Sequence, residues 1–192
     1  MRAVVLLSLS LVLSACASTP ARINNVCSVF DQKQGVLGGW YSAAKRTERQ
    51  YGVPASVLMA TIRIESGFRS TARPPRSKLL GFIPWKRPSS AYGYSQALDG
   101  TWDRYRRETG NWSARRSSFS DAVNFVGWYH YTSNRKNGIA LNDAYNLYLA
   151  YYAGHAGYSR GAWRNNPQMQ KSARNAARMA DSYSEQMRRC GR

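Results

Sequence analysis

Residues 53–68, VPASVLMATIRIESGF, constrain this chain more than any other stretch. Pro54 suits the first turn of a helix, where its missing N–H costs nothing, and Gly67 suits a helix stop. At about 100° per residue, Ala60, Ile64, Val57, Thr61, Leu58 and Ile62 share one wide apolar arc, with Arg63 and Met59 outside it. Glu65 falls inside the arc. A carboxylate that faces a core must be paired, become neutral, or serve chemistry. Glu65 also sits in the last turn, where the helix dipole disfavours negative charge, so burial and position both raise its pKa. A carboxyl that keeps its proton near neutral pH is what a general acid needs. The pattern alone leaves equal room for a buried glutamate satisfied by one of the many arginines.

Elimination favours the chemical reading. Of ten acidic residues, Glu48 lies on the solvated face of KRTERQ, and Asp99, Asp121 and Asp143 fall near helix starts, where Asp is a common cap. Asp103 and Glu108 alternate with Arg, Asp181 and Glu185 lie on the polar side of the last helix, and Asp31 sits among Gln and Lys. Only Glu65 is out of place.

The first residues read as an export signal. Arg2 precedes an eleven-residue apolar run, Ala3 to Leu13, too short to span a bilayer, and then come Ser14, Ala15 and Cys16. LSAC at 13–16 resembles the lipobox of bacterial lipoproteins, in which Cys16 would be acylated and become the first residue. A plain secreted protein cut near Ala15 or Ala17 is the alternative. The expected organisation is a signal peptide over 1–15, a lipidated cysteine and lead-in over 16–39 with a short tether at 17–26, and one domain over 40–192. The expected location is the periplasmic face of an outer membrane, where the source has two membranes. Cys27 and Cys190 then remain as an even pair in an exported chain, which suggests a disulfide joining the termini. No metal-ligand spacing is present, and no metal or cofactor is inferred.

Downstream, helical patterns recur. One opens at Trp40 with Ala44, Thr47 and Tyr51 on one face, and another carries Trp102 and Tyr105 after a turn at Gly93. Ser120 or Asp121 caps a helix with Ala122, Phe125, Val126 and Tyr129 inward. Asn142 or Asp143 opens one with Leu147, Tyr148, Tyr151 and Tyr152, stopped by Gly154. After a Gly-rich turn and Pro167, Met169, Ala173, Ala176, Ala180, Tyr183 and Met187 form an unbroken helical stripe. Residues 71–90 break all periodicity, holding prolines, basic residues and Leu79, Leu80, Phe82, Ile83 and Trp85; such a loop lines a cleft, touches a membrane surface, or simply packs on the domain. No strand pattern of comparable strength appears, so a compact, mainly α fold is expected.

Lys and Arg outnumber Asp and Glu by 28 to 10, which calls for an anionic partner. Arg interleaved with Trp and Tyr would suit single-stranded nucleic acid, but export removes the chain from it. Peptidoglycan, with its carboxylate-bearing stem peptides, fits better. Thirteen Tyr and six Trp suit the apolar faces of pyranose rings, although many must be core.

IESGF at 64–68, YGYSQ at 92–96 and AYYAG at 150–154 resemble, in order and rough spacing, the motifs of lytic transglycosylases of the soluble-transglycosylase type, relatives of goose-type lysozyme. In that family the motifs read Glu-Ser-Gly-Phe, Gly-Leu-Met-Gln and Ala-Tyr-Asn-Ala-Gly. The resemblance covers roughly residues 40–188. It implies a lysozyme-like helical domain with a substrate cleft, Glu65 as catalytic acid and Ser66 as the hydroxyl that positions it. It implies that Gly93, Tyr94, Ser95 and Gln96 border the substrate, with Gln96 touching it, and that the Tyr151 hydroxyl reaches toward the catalytic carboxyl. Tyr94 and Ser95 replace Leu and Met, and Tyr152 replaces the Asn that binds the sugar N-acetyl group, so substrate contacts differ here. The 71–90 segment is longer than the usual spacer, and Tyr183 matches the family's late tyrosine or packs in the core.

The implied reaction cleaves the MurNAc–GlcNAc bond without water. Protonated Glu65 gives its proton to the glycosidic oxygen, the substrate's N-acetyl group stabilises C1, and Glu65 takes a proton from the C6 hydroxyl as a 1,6-anhydro ring closes. The implied partners are peptidoglycan strands and, through the lipid, a membrane; nucleic acid is not a partner, and a monomer is expected. Two rivals stay open: a hydrolytic muramidase using Asp99 or Asp103 as second carboxylate, and a non-catalytic basic wall-binding protein.

Overall fold

The computed structural model describes residues 19–35, 38–79, 83–84 and 86–192. The expected signal peptide over 1–15 and Cys16 lie outside the described residues, as do Leu80, Phe82 and Trp85.

Helix α1 spans Val26–Gln32, α2 Trp40–Tyr51 and α3 Ala55–Ser66. Strands β1 (Lys78–Leu79) and β2 (Ile83–Pro84) precede α4 (Asp99–Thr109), α5 (Phe119–Asn137), α6 (Ala144–Ala153), α7 (His155–Ser159) and α8 (Pro167–Arg189). The protein is thus mainly helical and lysozyme-like, as expected.

Everything packs around α3. Pro54 stands at its N-cap and Gly67 ends it at φ 59°. Every residue from Ala55 to Ile62 is buried, Met59 included, because α2, α5 and α8 all pack against this one helix. The expected single arc is therefore too narrow: α3 is covered on nearly every side through its first two turns. Only Arg63, Ile64 and Glu65 are half-buried.

The frame is fixed by a few close approaches. On α5, a Cβ at Gly127 would lie 2.4 Å from Cγ2 of Thr47, so glycine lets α2 and α5 meet there. Trp40 stacks on Phe119 at 3.9 Å. Asp143 caps α6 by accepting from the Asn146 N–H at 3.0 Å, and Asn166 caps α8, with Pro167 in its first turn. The stripe from Met169 to Met187 is buried throughout.

Three local expectations change. The cap of α5 is Ser118, not Ser120 or Asp121; Asp121 lies in the first turn and accepts from the Arg115 N–H at 2.9 Å. Asp99 likewise sits inside the first turn of α4, favoured there by the helix dipole rather than acting as cap. The 71–90 segment contains a short antiparallel hairpin, Leu79 opposite Ile83, extended by the Ser77 N–H donating to the Lys86 carbonyl at 3.0 Å.

The lead-in is docked before the main domain begins. Val26, Val29 and Phe30 of α1 are fully or almost fully buried, and Ile23 packs on the core. The Val26 N–H donates to Oε1 of Gln186 at 2.7 Å, and the Tyr183 hydroxyl donates to the Ile23 carbonyl. Tyr183 therefore ties the lead-in to α8 from within the core. Cys27 and Cys190 form a disulfide with Cα atoms 6.6 Å apart.

Candidate active site

Glu65 is the penultimate residue of α3, a helix buried along most of its length, and Ser66 is its last. Gly67 and Phe68 follow it, both in the left-handed region at φ 59° and 63°. A left-handed Phe is strained by about 1–3 kcal/mol, offset by burying the Phe68 ring beside Trp40, 5.6 Å between centroids. This reversal stops α3 one residue after Glu65, so its carboxyl stands at the helix end instead of beneath another turn.

Oε1 of Glu65 accepts a hydrogen bond of 2.7 Å from the Tyr148 hydroxyl on α6. Oε2 has no protein partner among the described residues and is not one of the buried unpaired oxygens, so it meets solvent. No cation reaches Glu65 within ion-pair distance among those residues. The arginines near it in sequence are engaged elsewhere: Arg63 donates to Asn24 at 3.0 Å and Arg69 to the Ser66 carbonyl at 3.0 Å. Burial raises the Glu65 pKa to about 7, opposed by the Tyr148 hydrogen bond, which favours the carboxylate; no second carboxylate contributes. Asp99 is held by Arg116 at 2.7 Å and Asp103 lies 3.6 Å from Arg106, both well exposed.

The motif residues divide. The Ser66 hydroxyl donates to the Ile62 carbonyl at 3.1 Å, inside its own helix, so it does not hold the Glu65 carboxyl. Gly93 turns the chain at φ 77° with its N–H on the Ala72 carbonyl; a Cβ there would lie 2.1 Å from the Arg116 carbonyl oxygen. Tyr94 is buried against Trp40 and Phe119, and Ser95 is fully buried, so both side chains point away from solvent. Their expected contact with substrate does not fit this turn, which directs them into the core.

Gln96 is half-exposed at φ 50°. Its Nε2 donates to the carbonyls of Ala72 (2.9 Å) and Gly93 (2.8 Å), leaving Oε1 unpaired by protein among the described residues. Gln96 shares a cavity of about 220 Å³ with Leu98, Tyr129, Tyr151, Tyr152 and Gly154, joining the second and third motifs. The Tyr151 hydroxyl donates to the Ser95 carbonyl at 2.5 Å, not to Glu65. It clamps the two motifs together, while the tyrosine that reaches the carboxyl is Tyr148, one turn earlier. Tyr152 is half-exposed, its ring 6.5 Å from that of Tyr148. The sequence pattern set Tyr148 in one helix with Leu147, Tyr151 and Tyr152 and gave it no role; nothing in the periodicity separates a hydroxyl aimed at Glu65 from one aimed at a backbone carbonyl.

Both histidines of the chain lie in the packing behind the site. The Thr61 hydroxyl donates to Val57 and so accepts from Nε2 of buried His130 at 3.0 Å, which leaves the Nδ1 lone pair unpaired. Burial holds His130 neutral, with a pKa of about 3. His155, with a pKa of about 4, stacks on Tyr129 at 4.3 Å and meets Ser133 at 3.0 Å. No group of three or more His, Cys, Asp or Glu lies together among the described residues.

A helical lysozyme-like frame with a carboxyl of raised pKa at the end of its central helix defines a candidate glycan-cleaving domain. The chain matches the transglycosylase SLT domain over residues 4–190 and belongs to that family. The family is one of lytic transglycosylases, with peptidoglycan as substrate. A search of curated proteins finds no match.

Proposed function

We propose that this protein cleaves the β-1,4 bond between N-acetylmuramic acid and N-acetylglucosamine in peptidoglycan without consuming water, with Glu65 as acid and then base. The observation that carries this reading is a carboxyl with a pKa raised to about 7 that has, among the described residues, no cation beside it and no second carboxylate acting on it. Ordinary glycosidases need a carboxylate pair, with substrate assistance a recognised exception. Tyr148 occupies Oε1, so the acid proton resides on Oε2, the oxygen open to solvent. That proton passes to the glycosidic oxygen as the bond to C1 breaks. The substrate's N-acetyl oxygen stabilises C1. The Glu65 carboxylate then accepts the C6 hydroxyl proton while O6 closes on C1, giving a 1,6-anhydro-muramic end and restoring the acid. Gln96 Oε1 is available to accept from a sugar hydroxyl or amide. The half-exposed Tyr152 ring offers a stacking face where the family carries an amide.

Glu65→Gln tests the reading. The amide keeps the size of the side chain but neither gives nor takes the proton, and loss of general acid–base catalysis typically costs ~100- to 10,000-fold. With no other carboxylate to share the work, the loss should reach the top of that range with the fold intact. Mass analysis of muropeptides released by the unsubstituted protein should find ends one water lighter than hydrolysis products. Only reducing muramic ends would move the assignment to a muramidase, and undiminished cleavage by the variant would clear Glu65 of a catalytic role.

The N-terminal reading joins this proposal. Acylation of Cys16 would hold the domain at a membrane facing the wall, with α1 and the disulfide fixing where the lead-in leaves the domain.

A further inference from the structure

Beside the cavity that joins the motifs lies a second, larger groove of about 560 Å³, bordered by Tyr92, Trp102, Asp103, Arg106, Arg115 and Arg116. Two of its arginines are built in. Arg116 donates to the carbonyls of Ser90 (3.0 Å) and Ala97 (2.9 Å) and pairs with Asp99, while Arg106 donates twice to the Trp112 carbonyl and lies near Asp103. Arg115 on its border, and Arg73 held beside it against the Tyr92 ring, are not spent. Arg115 is anchored through its backbone alone, its N–H on Asp121 and its carbonyl accepting from the Ser118 N–H, and its exposed guanidinium has no partner among the described residues. Arg73, from the segment before the hairpin, lays its guanidinium over the Tyr92 ring at 4.4 Å, with Arg116 over the same ring at 5.4 Å. Stacking fixes the plane of Arg73 but uses none of its N–H donors, which leaves a planar fork preorganised for a carboxylate. The two aspartates of the groove are already matched by Arg116 and Arg106, so Arg73 and Arg115 leave it with uncompensated positive charge.

We propose that this groove binds the carboxylates of the peptide borne by muramic acid, so that the protein prefers peptide-bearing strands to naked glycan. The inference rests on peptidoglycan being the substrate and names the part of it that this side of the cleft recognises. Position supports it. Gln96 and Leu98 border the motif cavity and Asp99 the groove; on α4, Thr101 faces the cavity while Trp102 and Asp103 face the groove. One helix width, about 10–12 Å with side chains, separates the two. A four-residue peptide extends to roughly 13–14 Å, enough to cross it. A muramic acid freed of peptide keeps one carboxylate, but that group stays at the sugar and cannot reach Arg73 and Arg115.

Binding is measured by calorimetry in the Glu65→Gln protein, which keeps strands whole, for a tetrasaccharide carrying tetrapeptides and for the same sugar stripped by an amidase. Two exposed charge contacts support a preference of roughly three- to thirty-fold for the peptide-bearing form. In Arg73→Ala/Arg115→Ala the preference should fall to less than twofold with the melting temperature unchanged, and high salt should have the same effect on the parent. Equal binding of the two sugars by the parent, or a preference retained in the double variant, overturns the proposal. Phosphatidylglycerol vesicles form a second arm: a double variant that loses vesicle binding but keeps its peptide preference makes the groove a membrane contact instead. Cleavage is read separately in the Glu65 protein, so failure of the catalytic reading leaves the peptide preference measurable.

Discussion

The Tyr148 hydroxyl donates to the Glu65 carboxylate at 2.7 Å across 83 residues of chain, while Tyr151, one turn further on, donates to a backbone carbonyl. One helix thus supplies both the partner of the acid and the clamp that holds the second motif against the third. The Tyr148 phenol is itself kept firmly protonated by burial and by the neighbouring carboxylate, so it acts as a fixed donor.

Removing that donor should move the acid. A hydrogen bond to the charged form lowers the Glu65 pKa, so Tyr148→Phe should raise it above about 7. The alkaline limb of kcat/KM, where the acid loses its proton, should shift to higher pH. An unchanged limb alongside lower activity would reduce Tyr148 to a packing role.

The histidines and Glu65 pull stability in opposite directions with pH. His130 and His155 hold folded pKa values of about 3 and about 4, below their ordinary 6.5, so below about pH 6.5 the unfolded chain binds more protons. Their contribution is complete above that pH and is lost as the pH falls toward 4 and 3. Glu65 is raised from 4.5 to about 7, so its contribution is present below 4.5 and lost as pH rises through 7. Two histidines outweigh one glutamate between these limits. The melting temperature should drop from pH 7 to pH 5 and more steeply below 4.5. Glu65→Gln should raise it at pH 8, where the parent carries a partly buried charge with no counter-ion among the described residues. Equal melting at pH 7 and pH 4 would refute the neutral-histidine account.

The Cys27–Cys190 bridge closes a loop of 163 residues. In the chain-entropy model such a closure contributes up to about 5 kcal/mol. Reduction, or Cys27→Ser, should lower the denaturant midpoint markedly while far-ultraviolet dichroism stays helical under native conditions. The first element lost should be α1, whose remaining ties to α8 are a few hydrogen bonds and its buried Val26, Val29 and Phe30. A midpoint indifferent to reductant would mean that these contacts suffice.

Cys16→Ser should release the protein from the membrane fraction without changing the activity of the domain, because Cys16 precedes every element described. Metabolic labelling with a fatty acid should mark the parent and not the variant. A parent protein found entirely in the soluble fraction would remove the lipid anchor from the account.

Sequence alone determined most of the long helices and several of their ends. Pro54 and Gly67 bracket α3, Asp143 opens α6, Pro167 opens α8, and the stripe from Met169 to Met187 is buried as its period requires. These follow from local rules, since caps and periodicity act within one or two turns. The odd carboxylate at Glu65 was legible for the same reason: a charge inside an apolar run is anomalous without knowledge of its neighbours. Errors of one to three residues, as at the Ser118 cap, arise where several polar residues compete locally and packing chooses among them.

Only the tertiary structure decided which groups meet. Met59 is buried because three helices enclose α3, which no single-helix period reveals. Tyr148 and Tyr151 carry the same side chain one turn apart, and the placement of α6 against α3 and the Gly93 turn assigns one to Glu65 and the other to Ser95. Ser66 spends its hydroxyl on its own helix, and Tyr94 enters the core, because the turn at Gly93 lies against the Arg116 backbone with no room for a side chain. The raised pKa of Glu65 is likewise a tertiary property. The helix end and apolar run pointed in that direction, but the absence of a counter-ion among the described residues depends on where Arg63 and Arg69 send their guanidinium groups, and that is settled by contacts between segments distant in sequence.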